Sequence, residues 1–473
     1  MGGIVSYGTY LPYFRLDRTE IGAALGGAGG RGTRSVASYD EDTTSLGVEA
    51  ARAALAVAPE GSRARMITFA TTNPAYLDKS NANAIHAALG LDSSVPAYDM
   101  VGSVRSGIGA MRAAVDAASA GRSTLAVLAD VRTGLPGGAD ERDGGDGAAA
   151  FLFSDEGPFL LDTLGNAAST GEFLDRWRIP GEPASRMWEE RFGEAALVPL
   201  AEAAITDAFK QAGIQAAEID HLIVCGTHAR AGKRMAASIG ARPEALVDDL
   251  AATVGNTGTA QPGILLASVL DRAQPGQVIV LVTLADGAEV AVFRATDALA
   301  AFRPQTTVAE QIEAASGRVS YPTFLTWRGF LDREPPRRPD PERPAAPPSL
   351  RHEPWKFGFV GSRCESCGTR HLPPARVCVR CHAVDQMTPE RLADVPATIA
   401  TFTVDRLAFS LSPPVVAAVI DFDGGGRFQS ELTDVDPGTV KIGDRVQMTF
   451  RRLFTADGVH NYFWKARPLK GDA

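Results

Sequence analysis

Four cysteines near the C-terminus have a spacing that suits a metal ion. They form the pattern Cys-x2-Cys-x10-Cys-x2-Cys and are Cys364, Cys367, Cys378 and Cys381. Two such pairs place four thiolates around one ion in tetrahedral geometry and leave no coordination position open for chemistry. A redox function fits less well, because two pairs so close together suit a single metal ion. We therefore predict a structural zinc site, with the nearby His371 and His382 as non-ligands.

Composition and charge limit the partners that the chain can have. The 473 residues are 45% hydrophobic and 22% charged, and the formal net charge is −9. An acidic chain disfavours nonspecific nucleic-acid binding, which needs a basic surface. The sequence contains no run of about 18 apolar residues, so it predicts no membrane span. The first residues also lack a signal-peptide pattern. We expect a cytoplasmic protein with reduced cysteines.

Over the first 300 residues, predicted strands alternate with predicted helices, and these elements must position the candidate residues. Apolar runs and alanine-rich stretches follow one another, as in an α/β protein with buried strands. The predicted strands are 66–70, 124–129, 148–153, 221–225, 278–283 and 290–294. The predicted helices are 43–57, 82–89, 107–120, 197–212 and 263–272.

Similar strand and helix segments occur twice in the same order, which indicates a duplication. The turn and helix VGSVRSGIGAMRAAVDAA is matched by VGNTGTAQPGILLASVLDRA, and the strands on either side also match in order, offset by about 155 residues. Two similar halves at 1–165 and 166–331 are the simplest explanation.

The composition changes after residue 331. Residues 332–354 are rich in proline and charge, so we expect an extended linker or a strap across a surface. The four cysteines lie in 355–390. From 391 to 473, short strand-like runs alternate with Gly, Pro and Asp turns, which predicts a small all-β barrel.

Two families are recognisable in these segments. GIVSYGTYLPYFRLDRTEI and ASYDEDTTSLGVEAARAAL resemble the N-terminus of archaeal-type hydroxymethylglutaryl-CoA (HMG-CoA) synthases of the thiolase superfamily, and the likeness continues through LDRWR, VGNTGTAQPGILLASVLDRAQPGQVIV and SYPTFLTWRG. The tail resembles the DUF35 family, a rubredoxin-like zinc ribbon followed by an OB-fold. The resemblance implies a five-layer αβαβα duplicated core, a homodimer and a coenzyme A thioester as substrate.

The resemblance also identifies catalytic groups that the chain lacks. The family's cysteine nucleophile lies at a helix N-terminus in a turn that reads A-C-x-A-G-T-A-A-M. Here residues 103–111 read SVRSGIGAM, so Val104 occupies that position and cannot be acylated. Ser103 and Ser106 flank it, either as hydroxyl nucleophiles or donors or as helix caps. Thr71 replaces the glutamate of the family's E-S-H-P and cannot serve as its general acid.

Other parts of the family site are retained. His228 matches the family histidine, and Asn256 matches the asparagine that binds the same thioester oxygen. A solvated loop histidine and a turn asparagine are the alternatives. Cys225 is expected to be buried and inert, with a nucleophilic function as the alternative. Three cations suit a CoA phosphate or an ordinary solvated helix face, and they are Arg230, Lys233 and Arg234.

These residues favour a lyase over two alternatives. Thiolase-fold proteins that lack the cysteine and pair with DUF35 partners resemble aldolases that cleave β-hydroxyacyl-CoA. A retro-aldol reaction needs a base, for which Tyr76 and Asp78 are candidates, and an oxyanion site, but no acyl-enzyme. The first alternative is an acyltransferase or Claisen-type condensing enzyme. The second is a non-catalytic scaffold, assembled with another thiolase-fold subunit. The enzymatic hypotheses require a small-molecule acyl-CoA, with neither nucleic acid nor membrane.

Overall fold

The computed structural model describes residues 2–469 except 28, 338 and 340. Met1 and 470–473, which belong to the predicted terminal domains, and Arg338 and Asp340 of the predicted linker therefore lie outside the described residues. The remainder forms two compact units. The first comprises residues up to 37 together with 46–83 and 93–324, and the second comprises 38–45, 84–92 and the chain from 325 onward.

Fourteen strands are described before residue 325. They are β1 Gly3–Tyr10, β2 Phe14–Asp17, β3 Thr33–Val36, β4 Met66–Thr71, β5 Ala97–Val101, β6 Thr124–Val131, β7 Asp146–Ser154, β8 Leu161–Ser169, β9 Arg176–Trp177, β10 Arg186–Met187, β11 His221–Gly226, β12 Val278–Leu284, β13 Ala288–Ala295 and β14 Gly317–Arg318.

Eleven helices accompany these strands. They are α1 Arg18–Leu25, α2 Thr43–Ala56, α3 Ala82–Leu89, α4 Ser106–Ser119, α5 Ala139–Asp143, α6 Glu190–Ala212, α7 Ala229–Ser238, α8 Gln261–Leu270, α9 Asp297–Ala301, α10 Val308–Glu313 and α11 Tyr321–Trp327. Each strand and helix predicted from the sequence has its counterpart among these elements, with ends that differ by a few residues except for α6, which begins seven residues before its predicted start.

The first unit contains two mixed sheets that share one topology. Their strand orders are β1-β7-β6-β4-β5 and β8-β13-β12-β11. Each sheet contains an equivalent parallel pair, β4 with β6 and β11 with β12, followed by two antiparallel pairs, and the first sheet has a further parallel strand, β5, beside β4. The equivalence confirms the predicted duplication. The predicted boundary at 165/166 needs correction, because it falls inside β8, which pairs along its length with β13 of the second sheet.

Helices separate and cover the two sheets in five layers. α4 packs on β4, β6 and β7, α8 packs on β7, β11 and β12, and the two helices also contact each other, so they form the central layer. The segment QPGILLASVL of α8 is buried along its whole length, as expected for a helix with sheets on both sides. α6 covers β8 and β13. α2 lies so close to β1 that a Cβ on Gly8 would meet the Ala54 nitrogen at 2.4 Å. The αβαβα prediction is confirmed.

Two short helices in the second unit correct the prediction of an extended segment at 332–354 for its last part, from residue 346. These are α12 Ala346–Arg351 and α13 Glu353–Lys356. Each has proline in its first two positions, where the fixed φ of proline favours a helical start and no backbone donor is lost. The proline content therefore predicted the linker between domains but not the two short helices at its end.

A three-stranded ribbon and a closed barrel follow. The strands of the ribbon are β15 Val360–Cys364, β16 Arg370–His371 and β17 Met387–Arg391. The barrel, in the order β18-β19-β20-β22-β21, consists of β18 Ala397–Asp405, β19 Val415–Phe422, β20 Arg427–Leu432, β21 Arg445–Ala456 and β22 Val459–Pro468. Its interior is aromatic, with Phe450 and Trp464 fully buried against each other and Phe359 packed against Trp464. In the described part of the chain, no helix has the length and hydropathy needed to cross a membrane.

Candidate functional site

The four cysteines of the ribbon converge as the sequence predicts. Their sulfur atoms all lie within 4.8 Å of one another, with Cys364 Sγ 3.6 Å from Cys381 Sγ and Cys367 Sγ 3.5 Å from Cys378 Sγ. Sulfur atoms bound at 2.3 Å to one tetrahedral zinc ion lie about 3.8 Å apart, so the set fits zinc.

Backbone amides complete the zinc-binding site. The amides of Arg380 and Cys381 donate to the Cys378 sulfur at 3.4 and 3.5 Å. Such bonds orient and stabilise thiolate ligands. His371 and His382 lie outside the sulfur group, in line with the prediction.

The turn before α4 carries valine where a nucleophile is expected. Val104 is 7% exposed, and its carbonyl accepts the Gly107 amide at the helix start. Arg105 is the N-cap of α4 and makes no capping hydrogen bond with its side chain, so neither Ser103 nor Ser106 is the N-cap serine that one alternative predicted.

Ser103 has a different partner. Its hydroxyl donates to the carboxylate of Asp286, in the turn between β12 and β13, and accepts the Arg105 amide at 3.1 Å. Arg105 in turn donates to the Asp286 carbonyl at 2.6 Å. The turn before α4 is therefore fixed to the β12–β13 turn through a hydroxyl–carboxylate pair.

Thr71 ends β4 next to a carboxylate that the sequence analysis did not identify. Its hydroxyl donates to Asp130 Oδ1 at 3.0 Å, and the Thr72 amide and hydroxyl donate to the same oxygen at 2.7 and 2.9 Å. The other oxygen of Asp130 accepts the Thr259 amide at 2.9 Å. Asp130 is fully buried. The only sequence signal for it was an acidic residue at the end of the apolar run LAVLAD.

Two further arginines converge on the same loop. Arg132 donates to the Thr72 hydroxyl at 3.0 Å and lies 3.7 Å from Asp130, while Arg178 donates to the Thr72 carbonyl. Burial, opposed by Asp130, lowers the pKa of Arg132. The candidate bases named from the sequence lie farther along this loop, with Tyr76 half-buried and Asp78 exposed.

His228 and Asn256 are joined through the end of β11. The Asn256 Nδ2 donates to the Gly226 carbonyl at 2.6 Å, two residues before His228. Asn256 Oδ1 accepts the Gly258 amide at 2.9 Å, which leads into the turn that holds Thr259. His228 is the N-cap of α7, and its Nδ1 accepts the Ala231 amide at 3.4 Å.

That hydrogen bond settles which histidine nitrogen can donate. In a neutral imidazole, an Nδ1 that accepts leaves the proton on Nε2. Nε2 faces Gly193 of α6, where an added Cβ would lie 2.5 Å away. Glycine at this position therefore allows the Nε2 edge of the ring to pack against α6.

Two of the three cations suggested for a CoA phosphate, Arg230 and Arg234, already lie beside a carboxylate. Arg230 Nε and Arg234 Nη1 lie 3.5 and 3.3 Å from the carboxylate of Glu194 on α6. Lys233 is exposed, and no ion pair of its side chain is found in the part of the chain that the structure describes. This arrangement fits a solvated helix face as well as it fits a phosphate site.

The remaining cysteine lies in an environment that disfavours thiolate. Cys225 is 7% exposed on β11, and its sulfur lies 3.6 Å from the Val282 carbonyl oxygen. Burial raises the pKa of Cys225 to about 12. The prediction that this thiol is buried is confirmed.

Comparison with known proteins places these features in families. Residues 358–385 match the family "ChsH2, rubredoxin-like zinc ribbon domain", residues 390–451 match "ChsH2, C-terminal OB-fold domain", and residues 209–294 match "3-Oxoacyl-[acyl-carrier-protein (ACP)] synthase III C terminal". The chain is 28% identical over 292 residues to the HMG-CoA synthase of Pyrococcus furiosus, covering 60% of this chain and 83% of that one. It is 29% identical over 343 residues to that of Archaeoglobus fulgidus, covering 69% and 98%.

Solved structures agree on the fold. An HMG-CoA synthase complexed with CoA superimposes with a TM-score of 0.58 at 16% identity, covering 69% of this chain and 89% of that one. MvaS in complex with 3-hydroxy-3-methylglutaryl coenzyme A gives a TM-score of 0.59 at 19% identity, covering 82% and 99%.

The chain has a thiolase-like α/β core that is similar to HMG-CoA synthases, followed by a C-terminal zinc ribbon and OB-fold.

In the HMG-CoA synthase-like region, the residues of interest fall into one connected set and one separate pair. Thr71, Asp130 and Thr259 form the connected set, and Gly258 links it to Asn256 and thus to the end of β11 before His228. Ser103 and Asp286 form the separate pair. Asp130 and Thr259 join elements that are distant in sequence, which is why spacing alone did not identify them.

Proposed function

We propose that the protein acts on acyl-CoA thioesters and makes or breaks a carbon–carbon bond without forming an acyl-enzyme. The observation that carries this proposal is Val104 at the N-terminus of α4, where a helix dipole would otherwise activate a thiolate. Burial raises the pKa of Cys225, the cysteine of β11, to about 12, which disfavours its thiolate. A step that requires a covalent thioester therefore has no reactive thiolate at either position.

Aldolase-type cleavage of a β-hydroxyacyl-CoA is the reaction that best fits these groups. A base removes the β-hydroxyl proton, the Cα–Cβ bond breaks, and its electron pair forms the enolate of the departing acyl-CoA. That enolate takes a proton at carbon, and a carbonyl compound leaves. The enolate oxygen needs donors, and we assign this role to His228 Nε2–H and to the second N–H of the Asn256 amide.

Acyl transfer is the second candidate, and a specific contact favours it. The Ser103 hydroxyl donates to the Asp286 carboxylate, an arrangement that can activate a serine as an acyl acceptor. The relatives named above are synthases, which also favours condensation over cleavage. The two candidates differ in one observable respect, since only acyl transfer requires an acylated protein.

Intact-mass analysis after incubation with acyl-CoA separates the two candidates. The lyase hypothesis predicts unmodified protein and, with a panel of β-hydroxyacyl-CoA esters, release of a shorter acyl-CoA plus a carbonyl compound. An acyl adduct on the wild type that is lost in Ser103→Ala but kept in the matched control Ser106→Ala would contradict the lyase hypothesis and establish transfer. A third outcome would favour a non-catalytic scaffold. In that case the protein binds no CoA ester, carries no acyl adduct and releases no product from any ester.

The other assignments belong to the same proposal. Zinc in the ribbon is structural, because four thiolates leave no position for substrate. We also propose a homodimer, as the resemblance to the thiolase superfamily implies, and a cytoplasmic location.

A further inference from the structure

The second unit contains a short acidic segment from far upstream in the chain. Residues 38–45 read SYDEDTTS and cluster with the C-terminal barrel. Nothing in the zinc or acyl-CoA chemistry uses this segment. Its three consecutive carboxylates nevertheless have partners on β21 and β22.

Each acidic side chain of the segment has its own barrel residue. Asp40 Oδ2 lies 3.0 Å from Lys465 Nζ, Glu41 pairs with Arg451, and Asp42 Oδ2 accepts the Tyr462 hydroxyl at 2.6 Å. The Asp40–Lys465 and Glu41–Arg451 side chains are no more than 4% exposed. Charges buried to this degree are retained only when they are paired.

The barrel also holds the backbone of the segment. The Arg452 amide donates to the Asp40 carbonyl at 2.8 Å, and Arg452 Nη2 donates to the Tyr39 carbonyl at 3.0 Å. Lys465 donates to the Tyr39 hydroxyl at 3.2 Å and lies 5.2 Å from the centre of that ring. Contacts to both backbone and side chains are characteristic of peptide recognition.

Carboxylates of the barrel itself supply part of the charge balance. Arg451 also pairs with Asp434 at 2.5 Å, and Lys465 pairs with Glu431 at 2.9 Å. Three barrel cations, Arg451, Arg452 and Lys465, thus face two barrel carboxylates, and the segment brings three more. Peptide carboxylates occupy cations that an OB-fold could otherwise offer to an oligonucleotide.

We propose that this face of the barrel, formed by Arg451, Arg452, Tyr462 and Lys465, is a receptor for an acidic peptide of the type Tyr-Asp-Glu-Asp. Residues 39–42 of the chain itself are its occupant. The covalent connection through 332–345 is then not required for this association. A chain cut there keeps its C-terminal part bound through the acidic segment.

The test uses the full-length protein with a protease recognition sequence inserted after Arg337, in the stretch 331–337, which is exposed except for the half-buried Pro336. After cleavage, the two fragments are expected to co-elute on size exclusion at low salt. Asp40→Asn combined with Glu41→Gln removes one carboxylate partner from each of the buried cations Lys465 and Arg451 and is expected to weaken the association on the order of 100-fold.

Asp421→Asn is the matched control, because Asp421 pairs with Arg427 on the same barrel but both side chains are exposed. Its fragments should co-elute like those of the wild type. Zinc content of the released tail, measured for every variant, shows whether the ribbon remains folded.

Competition gives a second, independent readout. A synthetic peptide of residues 37–46 is expected to displace the N-terminal fragment, whereas the same peptide with Asn and Gln in place of Asp and Glu is not. Separation of the wild-type fragments at low salt would overturn the proposal, as would equal affinities of the double variant and the control. Displacement by a single-stranded oligonucleotide but not by the acidic peptide would instead assign the face to nucleic acid.

Discussion

At the scale of single residues, both units bury carboxylates and provide each with several donors or a cation. Asp130 accepts three hydrogen bonds on one oxygen and one on the other. Asp40 accepts the Ser38 hydroxyl at 2.8 Å and pairs with Lys465. A buried ionised carboxylate is tolerated only with such compensation, so these positions should be sensitive to any change in charge.

Asp40 gives a pH-dependent prediction. Burial would raise the pKa of this carboxyl, but Lys465 and Arg451 lower it more, to about 2. A depressed carboxyl pKa stabilises the folded state above the unfolded pKa, and this contribution is lost as the pH falls toward the folded pKa. Asp40→Asn should therefore lower the free energy of unfolding at pH 7 by on the order of 2 kcal/mol.

The loss caused by Asp40→Asn should shrink between pH 4 and pH 2, because the wild-type carboxyl becomes neutral there. Urea unfolding of both proteins across that range measures it. Asp78→Asn, on an exposed loop, is the control and should differ little from the wild type at any pH. A difference for Asp40→Asn that stays constant down to pH 2 would contradict the assigned pKa.

At the scale of elements, α4 packs closely against the turn that holds Thr259 because Gly107 has no side chain. A Cβ on Gly107 would lie 2.2 Å from the Thr259 carbonyl oxygen, whereas a Cβ on Gly109, one half-turn farther along α4, would meet only Met100 Cε at 4.0 Å. Backbone oxygen cannot move away as a flexible side chain can. The two glycines of one helix should therefore respond in opposite directions to alanine.

Gly107→Ala is expected to destabilise the protein by about 1–3 kcal/mol, because overpacking displaces α4 from the Thr259 turn. Gly109→Ala should be neutral or stabilising by up to about 1 kcal/mol, since alanine favours a helix interior. Thermal denaturation of the pair measures the contrast. Equal effects of the two substitutions would show that the close approach at Gly107 does not limit packing.

Strands and helices could be predicted well from the sequence, but the contacts between distant elements could not. Continuous apolar runs such as 124–129 and 278–283 identify buried strands because period and composition are local properties. The junction of Thr71, Asp130 and Thr259 joins three elements separated by about 60 and 130 residues, and no local pattern encodes it. The receptor face for residues 38–45 was also missed, because its partners are more than 390 residues apart.

At the scale of the whole molecule, one edge of the first sheet is open. β5 pairs with β4 on one side, and within the residues that the structure describes no strand pairs with its other side. Tyr98 and Val101 on this strand are 54% and 42% exposed. An unpaired edge strand invites association with another strand, and two-fold symmetry would pair β5 with its own copy. The predicted homodimer thus has a specific candidate interface.

Placing like charges on that edge should prevent the dimer. Tyr98→Lys combined with Val101→Lys brings four cations together across the two-fold axis, so sedimentation velocity should change from dimer to monomer while circular dichroism stays unchanged. Leu77→Lys combined with Leu174→Lys is the matched control, because both side chains are more than half exposed elsewhere. It should leave the dimer intact. A monomeric wild type, or a dimer that resists the β5 substitutions as well as it resists those of the control, would refute β5 as the interface.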